Sequence, residues 1–167
     1  TPLFIYDFDY IKSRYNALKK EFNGRKSLIC YAVKANSNLS LLKMLANLGA
    51  GFDCVSFNEV ARTLKAGADP YKIIYSGVGK SDAELISALK AGILYINVES
   101  HAELNWLEQI AQNLGVIARI SIRVNPNIDP KTHPYISTGL NENKFGVSID
   151  EARKMYLFAK KMPNLNP

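Results

Sequence analysis

The sequence predicts an α/β fold, a partial (β/α)8 barrel of the TIM type with about five βα units, preceded by one further strand and helix. Three observations predict it. Short β-branched or aromatic runs recur at 28–33, 52–55, 72–75, 94–98 and 118–124. Their starts lie roughly 20 to 25 residues apart, the spacing of parallel strands joined by single crossover helices. Three of the intervening helix starts carry Ser-x-x-Glu, at Ser56 with Glu59, Ser81 with Glu84 and Ser100 with Glu103, the pattern of a reciprocal capping box. Glycines follow the helices at Gly49, Gly67, Gly92 and Gly115, where a left-handed residue ends the last turn.

Composition agrees with an ordinary globular domain. Of 167 residues, 47% are apolar and 22% charged, which excludes a disordered tail or a collagen-like repeat. The longest apolar run, 28–33, is far too short to span a bilayer, and no basic-then-apolar signal peptide opens the chain, so a cytoplasmic protein is expected. The net charge of +6 comes from scattered lysines and arginines, which suits an anionic small ligand better than nucleic acid. Cys30 and Cys54 sit in apolar stretches and read as reduced, buried thiols. No Cys or His cluster suggests a metal. The chain opens at Thr1 without Met and stops at Pro167 just after a helical pattern, so both ends read as cut.

In chain order, 3–6 reads as a strand, and 9–22 as a helix with Ile11, Tyr15, Leu18 and Phe22 on one side. The strand 28–33 places Cys30, Ala32 and Lys34 on one face and Ile29, Tyr31 and Val33 on the other. Small residues below a terminal lysine fit a barrel interior with the ammonium at the mouth, where a neutral amine can attack a carbonyl to give a Schiff base. A surface lysine at a strand end is the alternative reading. Leu41, Leu42, Leu45 and Leu48 then form one helix face. At 52–55, Asp53 either pairs with Lys34 or a neighbour across the mouth, or opens a turn, while capping accounts for Ser56 and Glu59. A further helix carries Leu104, Leu107, Ile110 and Leu114 on one face. In 118–124, Arg119, Ser121 and Arg123 alternate with Ile120, Ile122 and Val124, so two guanidiniums face away from the helices. Arg123, nearer the C-terminal end, is the ligand candidate, and Arg119 reads as structural. The long connection 126–145 reads as functional, or else as a surface or dimer contact. His133 within it, followed by proline, is given no catalytic role. A last helix spans about 150–161.

Taken together these residues resemble the fold-type III pyridoxal-phosphate decarboxylases, and among them the diaminopimelate decarboxylases. The resemblance runs over essentially the whole chain from the Thr1-Pro2-Leu3-Phe4-Ile5-Tyr6-Asp7 opening. Its specific parts are Tyr31 to Asn36, Phe52 to Glu59, Arg123-Val124-Asn125-Pro126, His133-Pro134-Tyr135-Ile136-Ser137-Thr138-Gly139 and Lys144-Phe145-Gly146. It implies pyridoxal 5'-phosphate as cofactor, with Lys34 holding it covalently, Asp53 as the barrel-mouth aspartate near that lysine, and Arg123 near the ring's 3-hydroxyl. It implies decarboxylation of meso-2,6-diaminopimelate at the D-configured carbon to L-lysine and carbon dioxide, by a homodimer with no nucleic-acid or membrane partner. Residues 1–24 would then be the N-terminal strand and connecting helix, and 25–167 the first part of the pyridoxal-phosphate-binding barrel. The sequence has no His-Ile-Gly-Ser segment, no glycine-rich phosphate loop, no Glu-Pro-Gly-Arg and no C-terminal β-domain, so an incomplete chain, inactive alone, is expected. An alanine racemase, a polyamine-pathway decarboxylase and a non-catalytic pyridoxal-phosphate-binding barrel are the alternatives.

Overall fold

The computed structural model describes residues 1–126 and 145–167. Strands β1 (Cys30–Ala32), β2 (Gly51–Cys54), β3 (Ile73–Tyr75), β4 (Tyr95–Val98), β5 (Ala118–Ile122) and β6 (Leu165–Asn166) form a parallel sheet in chain order. Helices α1 (Phe8–Glu21), α2 (Leu39–Asn47), α3 (Phe57–Lys65), α4 (Asp82–Ala91), α5 (His101–Leu114) and α6 (Ile149–Ala159) alternate with them. This is the expected arc of βα units, with one strand more than the sequence suggested. Two-residue β6 is too short to show any alternation. Among the described residues no helix is long and apolar enough to cross a membrane.

Strand parity separates two faces. Phe52, Ile73, Tyr75, Ile96, Val98 and Ile120 are buried with the helix side chains Leu42, Val60, Leu85, Leu104, Leu107 and Met155, and this layer is the core. The opposite positions, including Cys30, Asp53, Ile74, Asn97 and Ser121, line a hollow. Both cysteines are free, with Cys54 buried and Cys30 half-buried.

The expected strand at 3–6 is not one. Leu3, Phe4 and Ile5 are 79%, 85% and 86% exposed, and no ladder joins them to the sheet. A strand exists only through pairing, and β-propensity without a partner leaves the backbone to water. The following helix α1 buries no residue fully; Ile11 and Tyr15 rest on the core, while Leu18 and Phe22 stay exposed. Lys19 Nζ donates to Leu48 O at 3.0 Å, tying α1 to the end of α2.

The helix starts also differ from expectation in one respect. Ser81 and Glu84 form the reciprocal box, each satisfying the other's backbone. Ser56 and Ser100 accept from the amides of Glu59 and Glu103 as expected. Their glutamates, however, reach one residue further back, to Val55 N at 2.7 Å and Glu99 N at 2.8 Å. Those are the first amides beyond β2 and β4, so the carboxylate staples the strand's exit to the helix. At a fourth start Ser148 accepts from Glu151 N, while the Glu151 carboxylate meets His101 and Lys154 instead. Gly49, Gly67, Gly92 and Gly115 all adopt positive φ after their helices, as the sequence indicated.

Arg119 is structural. Its guanidinium donates to the carbonyls of Gly92, Ile93 and Leu94 and stacks 4.6 Å from the Tyr71 ring. Lys80 is less expected, since its side chain is only 2% exposed. Its ammonium donates to Gly77 O at 2.6 Å, Asn97 O at 2.7 Å and Glu103 Oε1 at 2.5 Å. Removing one partner of such a pair strands the other charge in a dry site. Lys80→Ala should therefore destabilise the protein that carries this chain by about 3–5 kcal/mol, measured by denaturant unfolding; a loss near zero would show that water reaches the ammonium.

Candidate functional site at the sheet's C-terminal ends

The hollow on the inner face has a volume of about 710 Å3 and opens at the C-terminal ends of the strands. Lys34, Asp53, Ser76, Asn97, Ser121 and Arg123 are among its lining residues. It thus gathers all three residues that the sequence singled out. Another hollow of about 490 Å3 lies between β5 and α6, with mainly aliphatic and aromatic walls such as Ile120, Ile149 and Tyr156.

Lys34 sits just beyond β1, in the single 3-10 turn Val33–Ala35. Val33 anchors this turn in the core, fully buried, while Lys34 itself is exposed. Lys34 thus lines the mouth of the hollow while standing in water. Lys34 forms no ion pair with Asp53. The carboxylate instead accepts from the end of the adjacent strand, Ser76 Oγ, at 2.6 Å.

Arg123 follows β5 and lies against the segment that leads into α6. Its backbone bonds to Val147 N and Val98 O, and Val124 makes a parallel bridge to Val147. Gly146, at φ +89°, permits this approach, since a Cβ there would meet Arg123 O at 2.7 Å. The guanidinium is held on two sides. Nη1 donates to Glu99 Oε1 at 3.0 Å, and Cζ stands 5.4 Å from the Phe145 ring centroid. Glu99 is 6% exposed in its side chain, and its Oε2 is buried without a hydrogen-bond partner among the described residues. The pair leaves Arg123 partly open to the cavity, a planar donor fork suited to an anionic or phenolic oxygen.

Sequence reasoning missed Ser76, Asn97, Glu99 and Lys80. The detectable signal was Asn97, a lone amide between Ile96 and Val98 on the strand parity that also carries Tyr95. The segment with His133 to Gly139 and Lys144 lies outside the described residues. Among the described residues no group of His, Cys, Asp and Glu could hold a metal ion.

Burial pushes the Cys54 thiol up to about 12, and burial with the nearby Asp53 charge pushes the Cys30 thiol up as well. A raised value means less thiolate at neutral pH, and the thiolate is the nucleophile. Iodoacetamide at pH 8 should therefore modify Cys30 slowly and leave Cys54 untouched until the protein unfolds. Peptide mass mapping of the native and denatured protein checks this, and equal native labelling of both would contradict the burial described.

Comparison with known proteins places this geometry. Residues 8–166 match the family model for the pyridoxal-binding domain of pyridoxal-dependent decarboxylases. The diaminopimelate decarboxylase of Campylobacter jejuni is 68% identical over 167 residues, all of this chain and 42% of that protein. The crystal structure of diaminopimelate decarboxylase from Helicobacter pylori complexed with L-lysine superimposes with a TM-score of 0.95 at 62% identity, over all of this chain and 42% of that one. The arginine decarboxylase of Paramecium bursaria Chlorella virus aligns at a TM-score of 0.75 and 25% identity, over 92% of this chain and 39% of that one. The chain thus spans about two fifths of the length of these relatives.

Proposed function

The chain belongs to the pyridoxal-dependent decarboxylase family, and we propose that it is the cofactor-holding part of a diaminopimelate decarboxylase. The observation that carries this is the identity, 68% over the whole chain to a diaminopimelate decarboxylase against 25% over 92% of it to an arginine decarboxylase of similar fold. The reaction is loss of the carboxylate from the D-configured carbon of meso-2,6-diaminopimelate, yielding L-lysine and carbon dioxide.

The residues present fit pyridoxal 5'-phosphate. A hollow of about 710 Å3 falls within the size range of small-molecule sites, and its walls combine an amine, a carboxylate, an amide, hydroxyls and a guanidinium. When bound, that cofactor supplies the electron sink for the carbon that loses carbon dioxide. Lys34 holds the cofactor through its amine, reaching over the mouth from its turn. Asp53 contributes a fixed acceptor on the cavity wall, and Arg123 donates to an anionic oxygen. The alternation of apolar outer and polar inner positions keeps Asp53 and Arg123 on one side of the sheet, and the turn after β1 brings Lys34 to the same hollow.

Residues 1–24 and 25–167 fit an N-terminal connecting segment and the first part of the barrel. The same reading makes the working protein a cytoplasmic homodimer. The exposed Leu3, Phe4 and Ile5 support a covering surface supplied from elsewhere in the assembly.

Borohydride reduction of the pyridoxal-phosphate-treated protein that carries this chain, followed by peptide mapping, should label Lys34. Carbon dioxide should be released from meso-diaminopimelate and not from arginine or ornithine. Label on Lys131 or Lys144 would overturn the assignment of the lysine, and turnover of arginine or ornithine would overturn the substrate.

A further inference from the structure

Four consecutive strands each contribute a polar side chain to the inner face, in β2, just after β3, in β4 and in β5, and these four join in an unbroken hydrogen-bond chain. Ser121 Oγ donates to Asn97 Oδ1, Asn97 Nδ2 donates to Ser76 Oγ at 2.7 Å, and Ser76 Oγ donates to Asp53 Oδ1 at 2.6 Å. Asn97 and Ser121 are direct register partners, and Ser76 is fixed by its own amide bonding to Cys54 O at 2.7 Å.

The direction of the chain is forced. An ionised carboxylate only accepts, so the single hydroxyl proton of Ser76 is committed to Asp53. Ser76 Oγ can then only accept, which requires the nitrogen of the Asn97 amide to face it and turns Oδ1 toward β5. Ser121 must donate to that oxygen. One negative charge thereby orients three side chains, and the three in turn hold one carboxylate oxygen. An amide and two hydroxyls are costly to withdraw from water unless every bond is made. Barrel interiors are ordinarily filled with branched aliphatic side chains, so filling alone does not call for this set.

Resting on the reading of Asp53 as a site residue, we propose that Ser76, Asn97 and Ser121 are positioning residues for it. They fix Oδ1 from as far as β5 and leave the other oxygen, which no protein donor meets among the described residues, as the acceptor offered to a cationic or N–H group of the bound ligand. Ser121 acts on Asp53 only through Asn97.

A double-mutant cycle in the protein that carries this chain tests the proposal. The readouts are the dissociation constant of pyridoxal phosphate and the pH midpoint of its visible absorbance when bound. Ser121→Ala should weaken cofactor binding about five-fold, the worth of one hydrogen bond, and move the pH midpoint. Ser121→Thr, which keeps the hydroxyl, should restore both. In an Asn97→Ala background Ser121→Ala should add nothing. The same Ser121→Ala effect in both backgrounds, or none in either, would overturn transmission through Asn97. Asp53→Asn separates this from the underlying reading, since unchanged affinity and absorbance there would remove Asp53 from the site. A crystal structure of the Ser121→Ala protein judges the chain independently. An Asp53 carboxylate drawn away from Ser76 supports it, and an unaltered Asp53 refutes it.

Discussion

Lys80 carries a positive charge into a place that water barely reaches, and its three acceptors come from three pieces of chain. Gly77 belongs to the turn after β3, Asn97 to β4 and Glu103 to the first turn of α5. Coulomb attraction at this distance in a poorly solvated site holds these pieces together far more strongly than the same pair would on the surface. Glu103 passes the constraint on, because its second oxygen accepts from the Glu99 amide, and the Glu99 side chain grips Arg123. The position of a guanidinium at the mouth is thus traceable, through two carboxylates, to one buried ammonium.

The inner face has a different logic from the outer one. Outside, the strands meet helices through a continuous aliphatic and aromatic layer that tolerates no polar atom without a partner. Inside, the same strands present hydroxyls, an amide and charges whose requirements are met laterally, from strand to strand. Lateral satisfaction lets the face remain polar at its centre while standing open to a ligand. A parallel sheet in chain order makes this possible, since each strand's inward side chains lie within reach of those of the next, directly opposite as Asn97 and Ser121 are, or two positions further on as Ser76 is from the register partner of Asp53.

The strands and helices were legible because their signals are local: β-branched runs, Ser-x-x-Glu starts and glycine ends. Lys34 and Arg123 were legible from their places at the ends of strands, and Asp53 as a charge among apolar neighbours. What escaped was relational. Ser76 has no individual signature, Asn97 shows only as a lone amide in an apolar strand, and nothing short of the sheet makes them partners. Lys80, between Gly79 and Ser81, reads as a solvated loop residue, and its burial depends on Glu103, twenty-three positions later. The 3–6 run erred the other way, with strong strand propensity and nothing to pair with. The glutamates reached past the expected amide because the strand exit leaves an earlier donor unsatisfied, a demand that the helix pattern alone does not reveal.

The two ends of the helices are treated oppositely. Where α3, α4, α5 and α6 begin, Glu59, Glu84, Glu103 and Glu151 occupy the first turn. Where α2 and α4 end, Lys19 and Arg119 take up the terminal carbonyls of Leu48 and Gly92. At those four starts a carboxylate offsets the helix dipole within the fold. The full positive charges facing an approaching anion at the mouth are the side chains of Lys34 and Arg123, which water and dissolved ions can reach. Ionic strength consequently acts on two quantities separately, slowing the capture of an anionic ligand while leaving the buried Lys80 pair that secures the architecture almost untouched.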